Sequence, residues 1–182
     1  SPNLFFTQKT NLILKPFYQL HDARYMMYWP LMNANEVSQH QEKLKAEEQA
    51  DIILRQKTVD WITLGEQQPE ADHAFDGKQT RVGGSIGNFW RSTTAWMSYK
   101  LNNPELKAKA IEITVLKDAK AHIFEVWLND VLSQKIEINA DNGKVQTFTI
   151  ALEGNTLLLQ NIPIKIVSTG ENGSGAIQTI RL

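Results

Sequence analysis

HIFEVWLNDVLSQKIEI, His122 to Ile138, is the stretch on which the fold turns. Phe124, Val126 and Leu128 alternate with Ile123, Glu125 and Trp127, and Ile136 and Ile138 repeat the pattern further on. A period of two puts alternate side chains on opposite faces of a strand. Between the two runs stands Asn129-Asp130, a pair that tolerates positive φ and suits a tight hairpin turn. The stretch therefore reads as two antiparallel strands.

The same period extends outward in both directions. Upstream, Ala95, Met97, Tyr99 and Leu101 alternate with Trp96, Ser98 and Lys100, and Ile111, Ile113 and Val115 alternate with Glu112 and Thr114. Downstream, Asp141-Asn142-Gly143 offers a second turn, Ile162, Ile164 and Ile166 alternate, ENGSG reads as a flexible turn and AIQTIRL as a closing strand. Short strands separated by turn signals indicate a mainly β fold, an antiparallel β-sandwich of jelly-roll or galactose-binding-like type. Its core is expected to bury Ile113, Val115, Phe124, Val126, Leu128, Ile136, Ile138, Phe148, Ile150, Ile164, Ile166 and Ile180.

The N-terminal third differs. Residues 10–30 read as one or two strands ending at Pro30, so residues 1–34 form a strand arm. Asn35 to Lys57 has no Gly or Pro and is rich in helix formers. A long bridging helix is expected there, capped by Asn35 and docked through Ala50 to Leu54. Residues 58–182 then form the terminal sandwich.

Composition bounds the function. The chain has 182 residues with 19 basic and 20 acidic side chains, so no strong field draws in nucleic acid. Cysteine is absent, which excludes disulfides, thiolate zinc sites and a cysteine nucleophile. No apolar run approaches the roughly 20 residues that span a bilayer, and SPNLFFTQKT does not read as an intact signal peptide. Without an initiator Met, the chain reads as a processed protein or a fragment.

Three clusters invite chemistry. In KPFYQLHDARYMMYW, residues 15–29, His21, Asp22, Arg24 and Tyr25 sit among aromatic rings. His21 and Asp22 are strand neighbours, so they point apart. The expectation is a polar network satisfied between aromatics, with contact to a sugar as the alternative. The second cluster is Glu66, Gln67, Glu70, Asp72 and His73. Its acids suit calcium's oxygen preference but match no calcium-loop spacing, and zinc would require more His or Cys. A loop latched by hydrogen bonds is expected there, tied to backbone donors around Gly83 and Gly84, with no cofactor, and with a calcium ion that stabilises the sandwich as the alternative. The third is Trp90, Arg91, Trp96 and Trp61. Aromatic faces stack on the C–H faces of sugars, so these four are candidate carbohydrate-binding residues, with Trp90 and Arg91 displayed. The alternative is that they pack, as Trp127 is expected to do in its strand.

PFYQLHDARYMMYW, a Glu/Ala/Lys-rich helix, GEQQPEADH, FWRS and AWMSYKL, in that order and followed by a sandwich, resemble the C-terminal part of bacterial β-L-arabinofuranosidase-type glycoside hydrolases. The resemblance spans nearly the whole chain, and HDARYMMYW and EQQPEADH carry it most specifically. It implies that residues 1–34 end one β-sandwich, that a helix bridges, and that a second sandwich follows. It also implies a preceding catalytic barrel in the same parent protein, plant arabinan or arabinoglycan as substrate, and a periplasmic or extracellular location. The family's zinc-bound cysteine cluster and glutamate belong to the barrel and match no position here. The expected function is thus a non-catalytic accessory module that supports the barrel and binds glycan weakly. The alternative is an independent hydrolase with an acidic site around Glu66 to His73.

Overall fold

The computed structural model describes residues 32–85, 87–141 and 143–182. Most of the expected strand arm, with His21, Asp22, Arg24 and Tyr25, lies outside the described residues. The chain divides into two compact units, Ser1–Ala46 and Glu47–Leu182.

Helix α1 runs Ala34–Lys57. Its cap is Asn33, not the expected Asn35. The Asn33 side chain accepts the Glu36 N–H at 3.0 Å, and the Glu36 carboxylate accepts the Asn33 N–H at 2.7 Å. This reciprocal box satisfies two donors that the first turn would leave open. The expected docking face is also corrected: α1 buries no residue, and Ile52, Ile53 and Leu54 are exposed. Three consecutive apolar residues at about 100° each fan around a helix instead of forming a stripe.

Nine strands follow: β1 (Trp61–Thr63), β2 (Asp76–Ser85), β3 (Asn88–Asn102), β4 (Ala110–Leu116), β5 (His122–Leu128), β6 (Val131–Ile138), β7 (Val145–Ala151), β8 (Asn161–Ser168) and β9 (Ala176–Arg181). A short helix, α2 (Gln67–Asp72), lies between β1 and β2. All pairings are antiparallel, in the order β6-β5-β8-β3-β9-β4-β7, with β1 added to β9 and β2 to β3. The path narrows to the pair Arg91↔Ile177, where β3 passes from one layer to the other. A register shift between Lys78 and Thr80 marks a bulge in the β2–β3 ribbon just before that point, and bulges are how strands turn such corners.

Alternation builds the core. Met97, Tyr99 and Leu101 point inward from β3, as do Phe124, Val126 and Leu128 from β5, Ile162, Ile164 and Ile166 from β8, and Ile111, Ile113 and Val115 from β4. Each buried Ile contributes on the order of 1.5–3 kcal/mol relative to exposure. The expected core residues are buried except Phe148, which is half-buried because β7 is an edge strand. Asn129 and Asp130 have φ of 49° and 62°, so the hairpin turn forms with both central residues left-handed.

Two connecting segments also enter the core. Ile62 and Leu64 are both fully buried, because β1 is a short strand laid on β9. ENGSG is a plug instead of a flexible turn. Gly173, Ser174 and Gly175 are buried, and Ser174 Oγ accepts the Thr93 N–H at 3.0 Å. The Asn172 amide donates to Ala121 O at 3.0 Å.

Candidate functional site

α2 holds the second cluster. Pro69 sits in its first turn, where a missing N–H costs nothing. The next residue, Glu70, is 4% exposed. Its Oε1 accepts from Arg91 Nε at 2.6 Å, Gly65 N–H at 2.9 Å and Tyr99 hydroxyl at 3.0 Å, and its Oε2 accepts from Arg91 Nη2 at 2.5 Å. Arg91 Nη1 donates to Thr80 Oγ1 at 3.0 Å, and the guanidinium lies 4.1 Å from the centre of the Phe75 ring, which in turn contacts Tyr99. A two-pronged arginine–carboxylate pair of this kind is strong and directional.

The electrostatics follow from that packing. Burial pulls the Arg91 pKa down, but the hydrogen bond and charge of Glu70 outweigh it, and the net direction is up. Burial, then the charge of Glu70, pushes the Tyr99 phenol far above its usual range. This corrects two expectations. Arg91 is not displayed, and the backbone donor tied by the cluster is Gly65, not Gly83 or Gly84.

His73 closes the other end of α2. Its Nδ1 faces Pro69 O at 2.6 Å, and its Nε2 faces both Asp60 oxygens at 3.1 Å. Asp60 also accepts the Asn102 N–H at 2.6 Å and the Trp61 N–H at 3.0 Å. Both imidazole nitrogens therefore face acceptor oxygens, which leaves no lone pair aimed at a substrate hydroxyl or water. Asp72 accepts from the Gln68 amide at 2.7 Å, Gln67 is exposed, and the Glu66 carbonyl accepts the Glu70 N–H. Glu70 and Asp72 are thus turned to separate partners. Among the described residues no group of three acid or imidazole side chains is placed to hold a metal ion.

The four candidate sugar residues do not converge. Trp61 is half-exposed on β1 opposite Arg181. Trp90 pairs with Gly83, and a Cβ on Gly83 would stand 2.1 Å from the indole, so the ring lies across that glycine. By strand alternation it points away from Arg91. Trp96 stands on the outer face of β3, with Lys165 Nζ 5.0 Å from the ring centre.

That outer face holds residues the sequence reading passed over. Two rows cross it. One is Lys78, Trp96, Val167, Glu125 and Lys135, and the other is Asp76, Ser98, Lys165, Trp127 and Leu132. Trp127 is half-buried, and its Nε1–H donates to Glu125 Oε2 at 3.0 Å. Strand and residue spacings put the Cα atoms of Trp96 and Trp127 about 12 Å apart on this face. The signal was present in the alternation itself, since Trp96 and Trp127 both stand out of phase with buried neighbours. A further pair, buried His122 with half-exposed Asp118 at 2.9 Å, was also unforeseen. The His122 Nδ1 faces carbonyls of Asn172 and Gly173, so it anchors the buried plug.

Residues 53–182 match the model of a family of unknown function (DUF6805), and residues 3–31 match a separate domain of unknown function (DUF4986). No curated protein matches the chain. A family 35 carbohydrate binding module from an environmental isolate is 16% identical, with 66% of this chain and 90% of that one covered and a TM-score of 0.50. A family 35 module from Clostridium thermocellum is 8% identical, covering 59% and 89%, at 0.47. A CBM36 module in complex with calcium and xylotriose is 12% identical, covering 66% and 96%, at 0.46. The first of these shows a shared antiparallel β-sandwich fold. The match over residues 53–182 identifies the family: the chain belongs to DUF6805, a family of unknown function.

Proposed function

We propose that this chain is a non-catalytic accessory module of a glycoside hydrolase that acts on arabinose-containing plant glycans. In this reading it supports the preceding catalytic barrel and sandwich and binds carbohydrate weakly. One observation carries it: Trp96 and Trp127 stand on one open sheet face, while the acidic cluster is closed inward on Arg91, Tyr99 and Gly65. Two aromatic platforms flanking polar groups are what a sugar chain requires. Retaining hydrolysis requires two carboxyl groups facing one bond, and Glu70 and Asp60 are each held by donors inside the fold.

Three further points support the reading. The fold is one that carbohydrate-binding modules use. Two distinct family models follow one another along the chain, as expected where one domain ends and another begins. The motifs HDARYMMYW and EQQPEADH supply the arabinofuranosidase-type resemblance, and with it the bacterial parent and the periplasmic or extracellular setting. No helix among the described residues is long and apolar enough to cross a membrane. The test is a binding titration on arabinan and arabinoglycan fragments, paired with Trp96→Ala and Trp127→Ala. Binding lost in both variants with melting unchanged supports the reading. Hydrolysis of an aryl arabinofuranoside by this chain, abolished in Glu70→Ala, would sink it.

A further inference from the structure

We infer that the outer face of β2-β3-β8-β5 prefers glycans that carry a carboxylate, that is, a uronic acid residue, with Lys165 as the residue that reads the charge. The inference rests on the proposed function and names the ligand class of that same face.

The charge balance of the face motivates it. Lys78 is the cross-strand partner of Trp96, Lys100 follows Trp96 on the same face of β3, and Lys165 holds its ammonium over the Trp96 ring. Among the described residues, none of these three lysines is in an ion pair. The acids of the face are otherwise engaged. Asp76 accepts the Gly77 N–H at 2.8 Å, Glu125 accepts from Trp127, and Glu137 pairs with Lys135 at 3.0 Å. Two unpaired cations, Lys78 and Lys165, therefore flank the Trp96 indole, and Lys100 stands further along the same face of β3.

The geometry also assigns a sequence of contacts. A lysine over an indole is a weak, exposed cation–π contact. A carboxylate arriving at the face offers Lys165 a stronger, charge-assisted partner. Rotation of the lysine stem onto that carboxylate uncovers the Trp96 face, on which the C–H face of the sugar then stacks. A neutral sugar must displace the ammonium with no such return. Discrimination thus comes from Lys165, and the platform from Trp96.

The test compares trigalacturonic acid with its methyl ester, which keeps the shape and removes the charge, and with a neutral arabinotriose. The full chain is titrated at low and high salt. The acid should bind several-fold to about tenfold tighter than the ester at low salt, with the gap narrowing as salt screens exposed charges. Lys165→Met, which keeps the apolar stem, should reduce the gap to near unity, and Lys165→Arg should restore it. Trp96→Ala should weaken both ligands. Equal binding of acid and ester, or a preference that survives Lys165→Met, overturns the inference. Arabinotriose binding with no charge preference overturns it too, while leaving the proposed function standing. No binding of any of the three removes both.

Discussion

Glu70→Ala removes the acceptor on which four donors converge, and the structure sets the size of the loss. The Glu70 and Arg91 side chains are 5% and 12% exposed. Truncation leaves the guanidinium without its carboxylate, the Tyr99 hydroxyl without its acceptor at 3.0 Å, and the Gly65 N–H without its partner at 2.9 Å. Breaking a buried ion pair by removing one member costs about 3–5 kcal/mol, because the remaining charge is stranded away from water. For a domain of this size each kcal/mol lowers Tm by about 2–4 °C, so a drop of about 6–20 °C is expected. A urea melt and a thermal melt measure it. The double variant Glu70→Leu with Arg91→Met removes both charges at similar volume, and it should recover at least half of the loss. A cost below about 1 kcal/mol for Glu70→Ala would refute the latch as the element that holds α2 to the β2–β3 ribbon.

Other expectations follow from single groups. Tyr99 has its pKa raised by burial and then by Glu70; a raised pKa in the fold means stability that is full below the unfolded value of about 10 and is lost as pH rises past it. The fall in Tm between pH 8 and pH 11 should therefore be smaller in Tyr99→Phe than in the wild type. Burial pushes Asp118 up, but the hydrogen bonds from His122 and from the Lys120 N–H outweigh it and leave it lowered. A lowered carboxylate gives stability that is present above the unfolded value of about 3.9 and is lost as pH falls through the lower folded one. Asp118→Asn should accordingly flatten the acid limb of a Tm-against-pH curve below about pH 4. Asp130 holds φ at 62° in the hairpin turn, and Asp130→Gly should raise the urea midpoint, with a gain of up to about 1 kcal/mol.

The sandwich was legible where one local rule decided the outcome. Period two in Phe124, Val126 and Leu128 and in Ile162, Ile164 and Ile166 fixed which side chains are buried, and Asn129-Asp130 marked its turn. The strand order was not legible, because β8 and β9, late in sequence, insert between strands that are early. The latch was half legible. Glu66 to His73 stood out as a polar cluster, but its partners Arg91 and Tyr99 lie 21 and 29 residues from Glu70, and no local rule pairs residues at that distance. Arg91 looked like a displayed donor because it adjoins Trp90, yet strand alternation sends the two to opposite faces. The Asn33 cap is readable as Asn-x-x-Glu two residues before Asn35. Trp127 reads locally as a packing residue, whereas the alternation that buries Val126 also turns Trp127 outward beside Lys165.

The central claim is that an open sheet face, and not the acidic latch, does this module's work. Calorimetric titration of the 182-residue chain with arabinan oligosaccharides and trigalacturonic acid, repeated with Trp96→Ala plus Trp127→Ala and with Glu70→Gln, tests it directly. The account predicts binding by the wild type, loss of binding with Tm retained in the double tryptophan variant, and binding retained in Glu70→Gln despite a lower Tm. Binding that survives the tryptophan changes but disappears with Glu70→Gln would contradict it.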